Sequence, residues 1–366
     1  MARIPLGRPE MTDEMIEAAS HALRNERLVM GESVKKFEEE FARFIGTEHA
    51  ISCSSGTNAL QLALIAAKVC GKEVLTTPFS FIATANSVIE AGATPTFADV
   101  SEDDYNLDPA HTVDAIGAKT ACILPVHLYG QPTDMDPLTE ICQERGMVLI
   151  EDACQAHGAV YKGKKVGSIG DLACFSFYPT KNMTVGGDGG MVTTDDDRMA
   201  KEITKLRDCG RVSRYLHDVV GYTSRLNTCN AAIGRVQLRR LDGYNERRRE
   251  LAKVYADELR GLNQVKLPPL GGKGVVPVFH LFVIRCERRD DLAKHLEAQG
   301  IEVGVHYPIP IHLQPIYKEM YGYKGGEFPV SETISQELMS LPIFPSLGEG
   351  EVRQVCDAIK GFYQEI

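Results

Sequence analysis

Short apolar runs and amphipathic stretches alternate over the first two thirds of the chain. A buried strand is a short continuous apolar run, whereas a helix repeats its apolar residues at spacings of three and four. The runs that predict strands are 50–52, 73–76, 94–99, 121–125, 147–151, 173–176 and 190–194. The stretches that predict helices are two within 12–45, followed by 58–67, 82–91, 109–116, 135–145 and 198–207.

The candidate strands have no polar face. Val148-Leu149-Ile150, for example, is apolar at three successive positions, which is typical of a strand covered on both sides in a mainly parallel sheet. Alternation of strand and helix favours a layered α/β architecture. We therefore expect a mainly parallel, seven-stranded sheet with helices on both faces.

The pattern changes near Gly243, and a chain of 366 residues is too long for one ordinary core. The later elements that the pattern predicts are a basic helix over 246–259, a loop at 268–272, a strand over 280–286, and helices over 290–299 and 352–362. We therefore divide the chain into a large α/β domain, residues 1–244, and a smaller α+β domain, residues 245–366.

Composition narrows the class of protein. A formal net charge of −10 argues against nucleic acid as a partner, because a polyanion needs a basic surface. No apolar run is long enough to span a membrane, and residues 1–7 lack the apolar core of a signal peptide. The ten cysteines are scattered without any C-x-x-C pair, which favours reduced thiols over a disulfide framework or a metal site. We expect a cytoplasmic protein without a membrane segment or a bound metal.

Candidate chemistry centres on Lys181, which lies just ahead of the glycine run 186–190. A lysine whose surroundings disfavour its charged form is an amine nucleophile, and Schiff-base formation is a common use of it. Upstream, Asp152 ends a predicted strand and could keep a pyridine nitrogen protonated. Taken singly, the lysine could be a surface charge and the aspartate a helix cap.

Other segments also fall at predicted strand ends, where ligands of open α/β sheets bind. Residues 54–58 open a helix and could hold a phosphate at its N-terminus, although a simple N-cap would look the same. Phe81 could stack on a ring or belong to the core, and Ser176 could add a hydroxyl to the phosphate. Together with Lys181, these features predict a site for pyridoxal 5'-phosphate (PLP).

With these motifs the chain resembles the PLP-dependent nucleotide-sugar aminotransferases, the DegT–DnrJ–StrS group of the fold type I aspartate aminotransferase superfamily. The likeness covers nearly the whole chain. The segments that carry it are 4–7, 55–60, 78–84, 151–159, 176–190, 221–226, 306–312 and 341–345.

The resemblance implies a role for each matched cofactor residue. Lys181 would form the Schiff base and move the proton between substrate and cofactor, while Asp152 would pair with the pyridine nitrogen. The remaining implied contacts are Gln155 near the phenolic oxygen, Phe81 against the ring, and Gly56, Thr57 and Ser176 at the phosphate.

The resemblance also implies an assembly. Arg225 matches the position from which relatives reach the phosphate of the partner subunit, so we expect a homodimer with active sites at the interface. Two residues depart from the family pattern. Cys154 replaces a usual alanine, and Cys209 replaces a common histidine near the presumed sugar site.

A lysine at position 181, where related dehydratases carry histidine, implies a transaminase. The implied reaction moves an amino group from L-glutamate to a keto sugar on a nucleoside diphosphate, for amino-sugar biosynthesis. The loop 306–312, with His306, Tyr307 and His312, would line the sugar site and favours 3-keto over 4-keto sugars. Two histidines six apart without a third ligand do not make a convincing metal site.

The diphosphate needs cationic partners, and the candidates are Arg211, Arg214 and the run 247–249. That run could equally be a solvated helix face. Two other functions also stay open: a fold type I PLP lyase acting on amino acids, and a non-enzymatic regulator that binds PLP.

Overall fold

Strands and helices alternate along the chain as the apolar runs predict. The computed structural model describes residues 3–364. Its strands are β1 (His49–Cys53), β2 (Glu73–Thr76), β3 (Thr94–Phe97), β4 (Thr120–Leu124), β5 (Val148–Asp152), β6 (Val160–Tyr161), β7 (Lys164–Lys165), β8 (Leu172–Ser176), β9 (Gly190–Thr194), β10 (Arg211–Ser213), β11 (Leu216–His217), β12 (Val265–Lys266), β13 (Val275–Val276), β14 (Phe282–Cys286) and β15 (Leu338–Leu341). Its α-helices are α1 (Asp13–Asn25), α2 (Glu32–Ile45), α3 (Gly56–Ala66), α4 (Ala83–Glu90), α5 (Pro109–Ala115), α6 (Met135–Arg145), α7 (Asp197–Leu206), α8 (Thr228–Glu258), α9 (Arg289–Ala298), α10 (Pro315–Tyr321), α11 (Pro329–Glu337) and α12 (Glu349–Gln364).

Seven strands form the central sheet, in the order β1-β9-β8-β5-β4-β2-β3. The run from β8 to β3 is parallel throughout, whereas β9 is antiparallel to both β8 and β1. The prediction of a mainly parallel seven-stranded sheet is confirmed. Each predicted strand matches an observed one to within two residues at either end.

Helices cover both faces of this sheet, and successive residues of its strands enter different cores. Leu149 of β5 packs in the cluster that includes Phe37 and Phe41 of α2. Its neighbour Ile150 packs on the other face, in the cluster that includes Leu60 of α3. Both positions must therefore be apolar, which explains why the strand has no polar face.

An aromatic cluster packs α2 against the end of β8. The ring of Phe41 makes edge contacts with Phe175 and Phe177, with centroids 5.0 and 5.5 Å apart. The His157 ring lies 5.5 and 5.7 Å from the same two phenylalanines. Because Phe175 and Phe177 flank Ser176, this packing fixes the end of β8 where a ligand would bind.

The long helix α8 begins well before the predicted basic helix 246–259. Gly243 costs helix propensity on the order of 1 kcal/mol, but packing on both sides of it keeps the helix continuous. Its first half approaches α2 so closely that a Cβ on Gly234 would lie 2.9 Å from the Phe37 ring. Its second half buries Leu251 and Tyr255 in the C-terminal core. The chain therefore crosses residue 244 within one helix, and the division into 1–244 and 245–366 stays a prediction.

The C-terminal part is built on a second, antiparallel sheet in the order β12-β14-β15. The ring of Tyr255 stacks on Phe282 of β14 at 4.6 Å, and α9 and α12 add Leu292 and Val355 to the same core. Ile4 also packs there and forms a parallel bridge with Ile301. The N-terminal segment therefore lies against the C-terminal part, beside the groove between the two cores.

Across residues 3–364, no helix has the length and apolarity that crossing a bilayer requires.

Truncation of Phe41 tests the aromatic cluster. We expect Phe41→Ala to lower the free energy of unfolding by about 3–5 kcal/mol, because it leaves a cavity beneath β8. Phe41→Leu keeps most of the volume and should cost less than about 1.5 kcal/mol. Urea unfolding of both variants measures the difference, and equal losses would show that the ring itself contributes nothing.

Candidate active site

A cavity of about 710 Å³ lies at the carboxyl ends of the parallel strands, where it meets the C-terminal part of the chain. Strands β5 and β8 end at its wall, with Asp152 and Ser176 as their last residues. The residues with predicted site roles that line the cavity are Gly56, Thr57, Phe81, Asp152, Gln155, Ser176, Lys181, His306 and Tyr307. Residues far apart in sequence are therefore brought to one place.

The N-terminus of α3 forms one wall of the cavity. Ser55 caps the helix by accepting a hydrogen bond from the Asn58 N–H at 3.1 Å, and the first helical amides have no partner within a helix. A Cβ on Gly56 would lie 2.5 Å from Cβ of Ser176, so only glycine lets the helix approach β8 this closely. Free amides beside the hydroxyls of Thr57 and Ser176 suit a phosphate.

One hydroxyl and one backbone N–H hold the buried carboxylate of Asp152. Its Oδ2 accepts a hydrogen bond from Thr84 Oγ1 at 2.8 Å, and its Oδ1 accepts one from the Cys154 N–H at 3.2 Å. Ser80 Oγ lies 2.9 Å from Thr84 Oγ1. Because the single hydroxyl proton of Thr84 goes to Asp152, Ser80 must donate to Thr84. The carboxylate therefore keeps one orientation at the strand end.

Sequence reasoning missed Thr84 and Ser80, although both lie in the segment 78–84 that carried the family likeness. A signal was present. Thr84 lies in the first turn of α4, and Ser80 lies four residues earlier, between the end of β2 and this helix. What the sequence lacked was the distance to Asp152, which comes from a strand almost seventy residues later.

Glu151, just before Asp152, anchors the same strand from the opposite face. Its carboxylate accepts three backbone N–H groups within 167–170, each at 2.8 Å, and His127 Nε2 at 3.0 Å. The Thr133 N–H donates to His127 Nδ1, so the imidazole proton is on Nε2. Burial alone would raise the pKa of Glu151, but these hydrogen bonds hold the pKa below its usual value.

The amine of Lys181 lies in a weakly polar environment. Burial lowers the pKa of Lys181, and electrostatic interactions with Cys154 and Asp152 only partly oppose this effect. The same amine disfavours positive charge on neighbouring imidazoles. Burial, followed by the charge of Lys181, lowers the pKa of His157 to about 3 and that of His306 to about 4. The amine of Lys181 therefore loses its proton more readily than that of an exposed lysine, which is what a nucleophile needs.

Gln155 forms hydrogen bonds with a loop of the large sheet and with a loop of the C-terminal part. Its Oε1 accepts a hydrogen bond from the Tyr129 N–H at 2.8 Å, and its Nε2 donates to the Tyr307 hydroxyl at 3.3 Å. The Tyr307 ring lies 5.9 Å from Phe81, which is exposed towards the cavity. The Tyr129 hydroxyl donates to the His306 carbonyl. A flat ring bound beside Phe81 would lie next to this network.

Several residues with predicted roles do not line the cavity, among them Arg211, Arg214, Arg225 and His312. Arg225 forms an ion pair with Asp208, and the exposed Arg211 approaches the same carboxylate at 3.4 Å. His312 is fully buried elsewhere, with Nε2 at 3.0 Å from Glu332. The N–H of the neighbouring Ile311 donates to the Pro78 carbonyl. The sugar and interface roles of these residues stay predictions.

His312, Glu327 and Glu332 have ligand-type atoms within 4.8 Å of one another. The carboxylate of Glu332 also accepts backbone N–H groups from Gly326 and Phe328. Glu327 likewise accepts two backbone N–H groups. These hydrogen bonds account for the cluster as a support for the loop before α11.

The two cysteines that depart from the family pattern differ in position. Cys154 lines the cavity, and burial, followed by the charge of Asp152, raises the pKa of its thiol well above the usual value. It therefore behaves as a small neutral side chain. Cys209 lies outside the cavity wall, with Sγ at 3.4 Å from Thr223 Oγ1.

Burying the Lys181 amine should cost folding stability. A base whose pKa is lowered on folding destabilises the fold most at pH values below its folded pKa, and the cost disappears as the pH approaches its unfolded value near 10.5. In protein freed of ligands, Lys181→Met should therefore raise the free energy of unfolding at pH 7, with a smaller gain at pH 10. Urea unfolding at both pH values measures this, and a gain independent of pH would contradict it.

The chain is similar to a known protein family and to named proteins over nearly its whole length. A model of the DegT/DnrJ/EryC1/StrS aminotransferase family matches residues 9–360. The chain is 42% identical to a Geobacillus stearothermophilus protein named pleiotropic regulatory protein, over 97% of this chain and 96% of that one. It is 40% identical to the dTDP-3-amino-3,4,6-trideoxy-alpha-D-glucose transaminase of Streptomyces venezuelae, over 98% and 94%.

The fold has a close counterpart among solved structures. The crystal structure of DesV from S. venezuelae in complex with a ketimine intermediate matches this structure with a TM-score of 0.97. The two chains are 39% identical, and the match covers 100% of each. The predicted α/β fold type I architecture is confirmed.

Proposed function

This chain belongs to the DegT/DnrJ/EryC1/StrS aminotransferase family, and from that membership we propose that it transfers an amino group from L-glutamate to a keto sugar carried on a nucleoside diphosphate. Relatives of about 40% identity over the full chain are sugar transaminases. The observation that carries the proposal is the Lys181 amine in one cavity with the Asp152 carboxylate and the helix terminus at Gly56. These are the groups that a transaminase requires.

The cofactor we propose is PLP, and the residues of the cavity fit it. The free amides of α3 with Thr57 and Ser176 suit the phosphate, Phe81 offers a ring face, and Asp152 offers a fixed carboxylate to a pyridine nitrogen. When bound, PLP supplies an electron sink for the carbon that loses a proton. A cradle that a single Cβ at Gly56 would fill supports this assignment.

The protein's own part in the chemistry is to place charge and move a proton. Asp152 holds its negative charge in one orientation through Thr84 and the Cys154 N–H. Lys181, uncharged more readily than an ordinary lysine, can accept a proton from the substrate carbon and return it. His157 and His306 stay neutral because of burial, so they do not compete for that proton.

For the sugar we propose amination at C3. His306 and Tyr307 line the cavity, and the segment 306–312 carries the form that favours 3-keto substrates. The S. venezuelae relative named above is a 3-amino sugar transaminase, which supports the same carbon. A volume of about 710 Å³ lies within the usual range for small-molecule sites.

We also propose a homodimer in which Arg225 reaches the partner's phosphate site. The hairpin of β10 and β11, close to Arg225, exposes Val212, Tyr215 and Leu216. Clustered exposed apolar residues favour a protein contact, and a second copy of the chain suits the shared site. All ten cysteines are unpaired, which supports the proposed cytoplasmic location.

Two measurements would distinguish the lyase and the regulator from the proposed aminotransferase. A lyase would release sulfide from cysteine, and a pure regulator would show no transfer of nitrogen. The name of the G. stearothermophilus relative makes the regulator worth testing. A screen of nucleotide-linked keto sugars with labelled glutamate, followed by mass spectrometry of the products, decides among the three.

Removal of the amine tests the central assignment. Lys181→Ala should lose the visible absorption band of lysine-bound PLP and both half-reactions, whereas Lys201→Ala on the surface should keep them. Asp152→Asn should keep the fold but lower turnover by about 10²–10³-fold, as for loss of a preorganised charge. Near wild-type turnover by Lys181→Ala would refute the proposal.

Removal of the Thr84 hydroxyl tests how Asp152 is positioned. Thr84→Val keeps the shape of the side chain but loses a hydrogen bond to a charged group, worth about 1.5–3 kcal/mol. PLP should therefore bind about tenfold or more weakly, and the pH at which its visible band changes should shift. Thr84→Ser, which keeps the hydroxyl, should stay near wild type. Equal effects of the two substitutions would indicate packing instead.

A further inference from the structure

Three consecutive arginines on α8 have different surroundings. Arg247 forms an ion pair with Glu250 at 2.9 Å, and Arg249 forms one with Glu246 at 2.6 Å. These two pairs lie at the surface of the helix. Arg248, between them, is only 5% exposed and lines the same cavity as Lys181. The solvated helix face considered for residues 247–249 therefore does not describe Arg248.

Arg248 is buried without a counter-charge among the described residues. Its Nη1 donates to the carbonyls of Phe279, His280 and Ile343, at 3.1, 3.3 and 3.0 Å. Its Nε is fully buried and has no acceptor. The charge of Glu10 acts on Arg248, but burial has the larger effect on its pKa.

This arrangement is costly without a ligand. An unpaired buried donor and an uncompensated buried charge each cost free energy, and burial lowers the pKa of Arg248 to about 10. The three carbonyl bonds fix the plane of the guanidinium while neutralising none of its charge. A fixed guanidinium with free donors in a cavity wall is suited to an oxyanion.

The position of Arg248 distinguishes between the two anionic substrates. His280 lines the cavity, and its carbonyl accepts a hydrogen bond from Arg248 at 3.3 Å. Burial, followed by the charges of Lys181 and Arg248, lowers the pKa of His280 well below its usual value. Arg248 is therefore within electrostatic range of the reacting end of the cavity. In an amino-acid donor a carboxylate lies one carbon from the reacting nitrogen. In a nucleotide sugar the charge lies on the diphosphate, which joins C1 of the sugar to the nucleoside and is not attached to the carbon that reacts.

We propose that Arg248, which lines the cavity, binds a carboxylate of the amino donor through Nη2 of its guanidinium, since the hydrogen bonds that it makes within residues 3–364 all use Nη1. The subsite rests on the proposed function, because it presumes that an amino acid supplies the nitrogen. Arg248 would set the preference for acidic or α-carboxylate donors without acting in the proton transfer. The diphosphate role considered for Arg248 from the sequence then becomes the competing outcome.

The two half-reactions of the PLP-loaded enzyme separate these roles. We expect Arg248→Lys to lower kcat/KM for glutamate by about 10- to 100-fold, mostly through KM, as for loss of a hydrogen bond to a charged group. The reverse half-reaction with the amino-sugar nucleotide should keep its wild-type rate, which also shows that the variant is folded. Arg249→Lys, the same change one residue later at the surface, is the matched control.

The other possible results for the two half-reactions would each contradict the proposal or the function on which it rests. If the amino-sugar half-reaction falls while the glutamate half-reaction is kept, Arg248 binds the diphosphate and the proposal is overturned. If both stay at wild-type rates, Arg248 has only a structural role, which also overturns it. A wild-type enzyme that converts no amino acid would instead refute the proposed function itself.

A measurement on the wild-type holoenzyme covers the case in which Arg248→Lys fails to fold. Glutarate carries the carboxylates of glutamate but no amine, so it can bind without reacting. A crystal structure at saturating glutarate should show a carboxylate oxygen within hydrogen-bond distance of Arg248 Nη2. Glutarate bound elsewhere in the cavity, or none bound, would overturn the proposal.

Discussion

The site depends on one carboxylate held in one orientation at the end of a buried strand. Asp152 lies where β5 ends, and Thr84, Ser80 and the Cys154 N–H fix its plane. Glu151 performs a separate task on the other face, where it satisfies a row of backbone donors. The two adjacent acids therefore have different roles. They lie on opposite faces of the sheet because successive side chains of a strand point in opposite directions.

The polar groups that this cavity needs for function lower the free energy of unfolding of the protein. The Lys181 amine, the neutral histidines around it and the unpaired guanidinium of Arg248 are all groups that would be better solvated in water. The surrounding cores provide the stability that offsets them. The aromatic cluster behind β8 and the apolar clusters on both faces of the sheet hold the strand ends in place, so unfavourable groups can be kept where a ligand needs them.

The cavity also joins parts of the chain that fold around different cores. Gln155, on the loop after β5, bonds to Tyr129 from one loop and Tyr307 from the C-terminal part. Arg248 donates to the carbonyls of Phe279 and Ile343, which both belong to the C-terminal core. These polar links fix the position of the 306–307 loop over the sheet, which gives the substrate side of the cavity a definite shape.

The sequence by itself determined the sheet, most helix positions and the residues around Lys181 and Asp152. These are local properties: an apolar run specifies a buried strand, and strand ends collect ligand residues at one edge. It did not determine the length of α8, because whether a helix continues past Gly243 depends on what packs against it. Nor did it reveal Thr84, the separate location of His312, or the difference between Arg248 and its two neighbours. Only tertiary structure decided these, since each depends on distances between segments far apart in the chain, which no local pattern records.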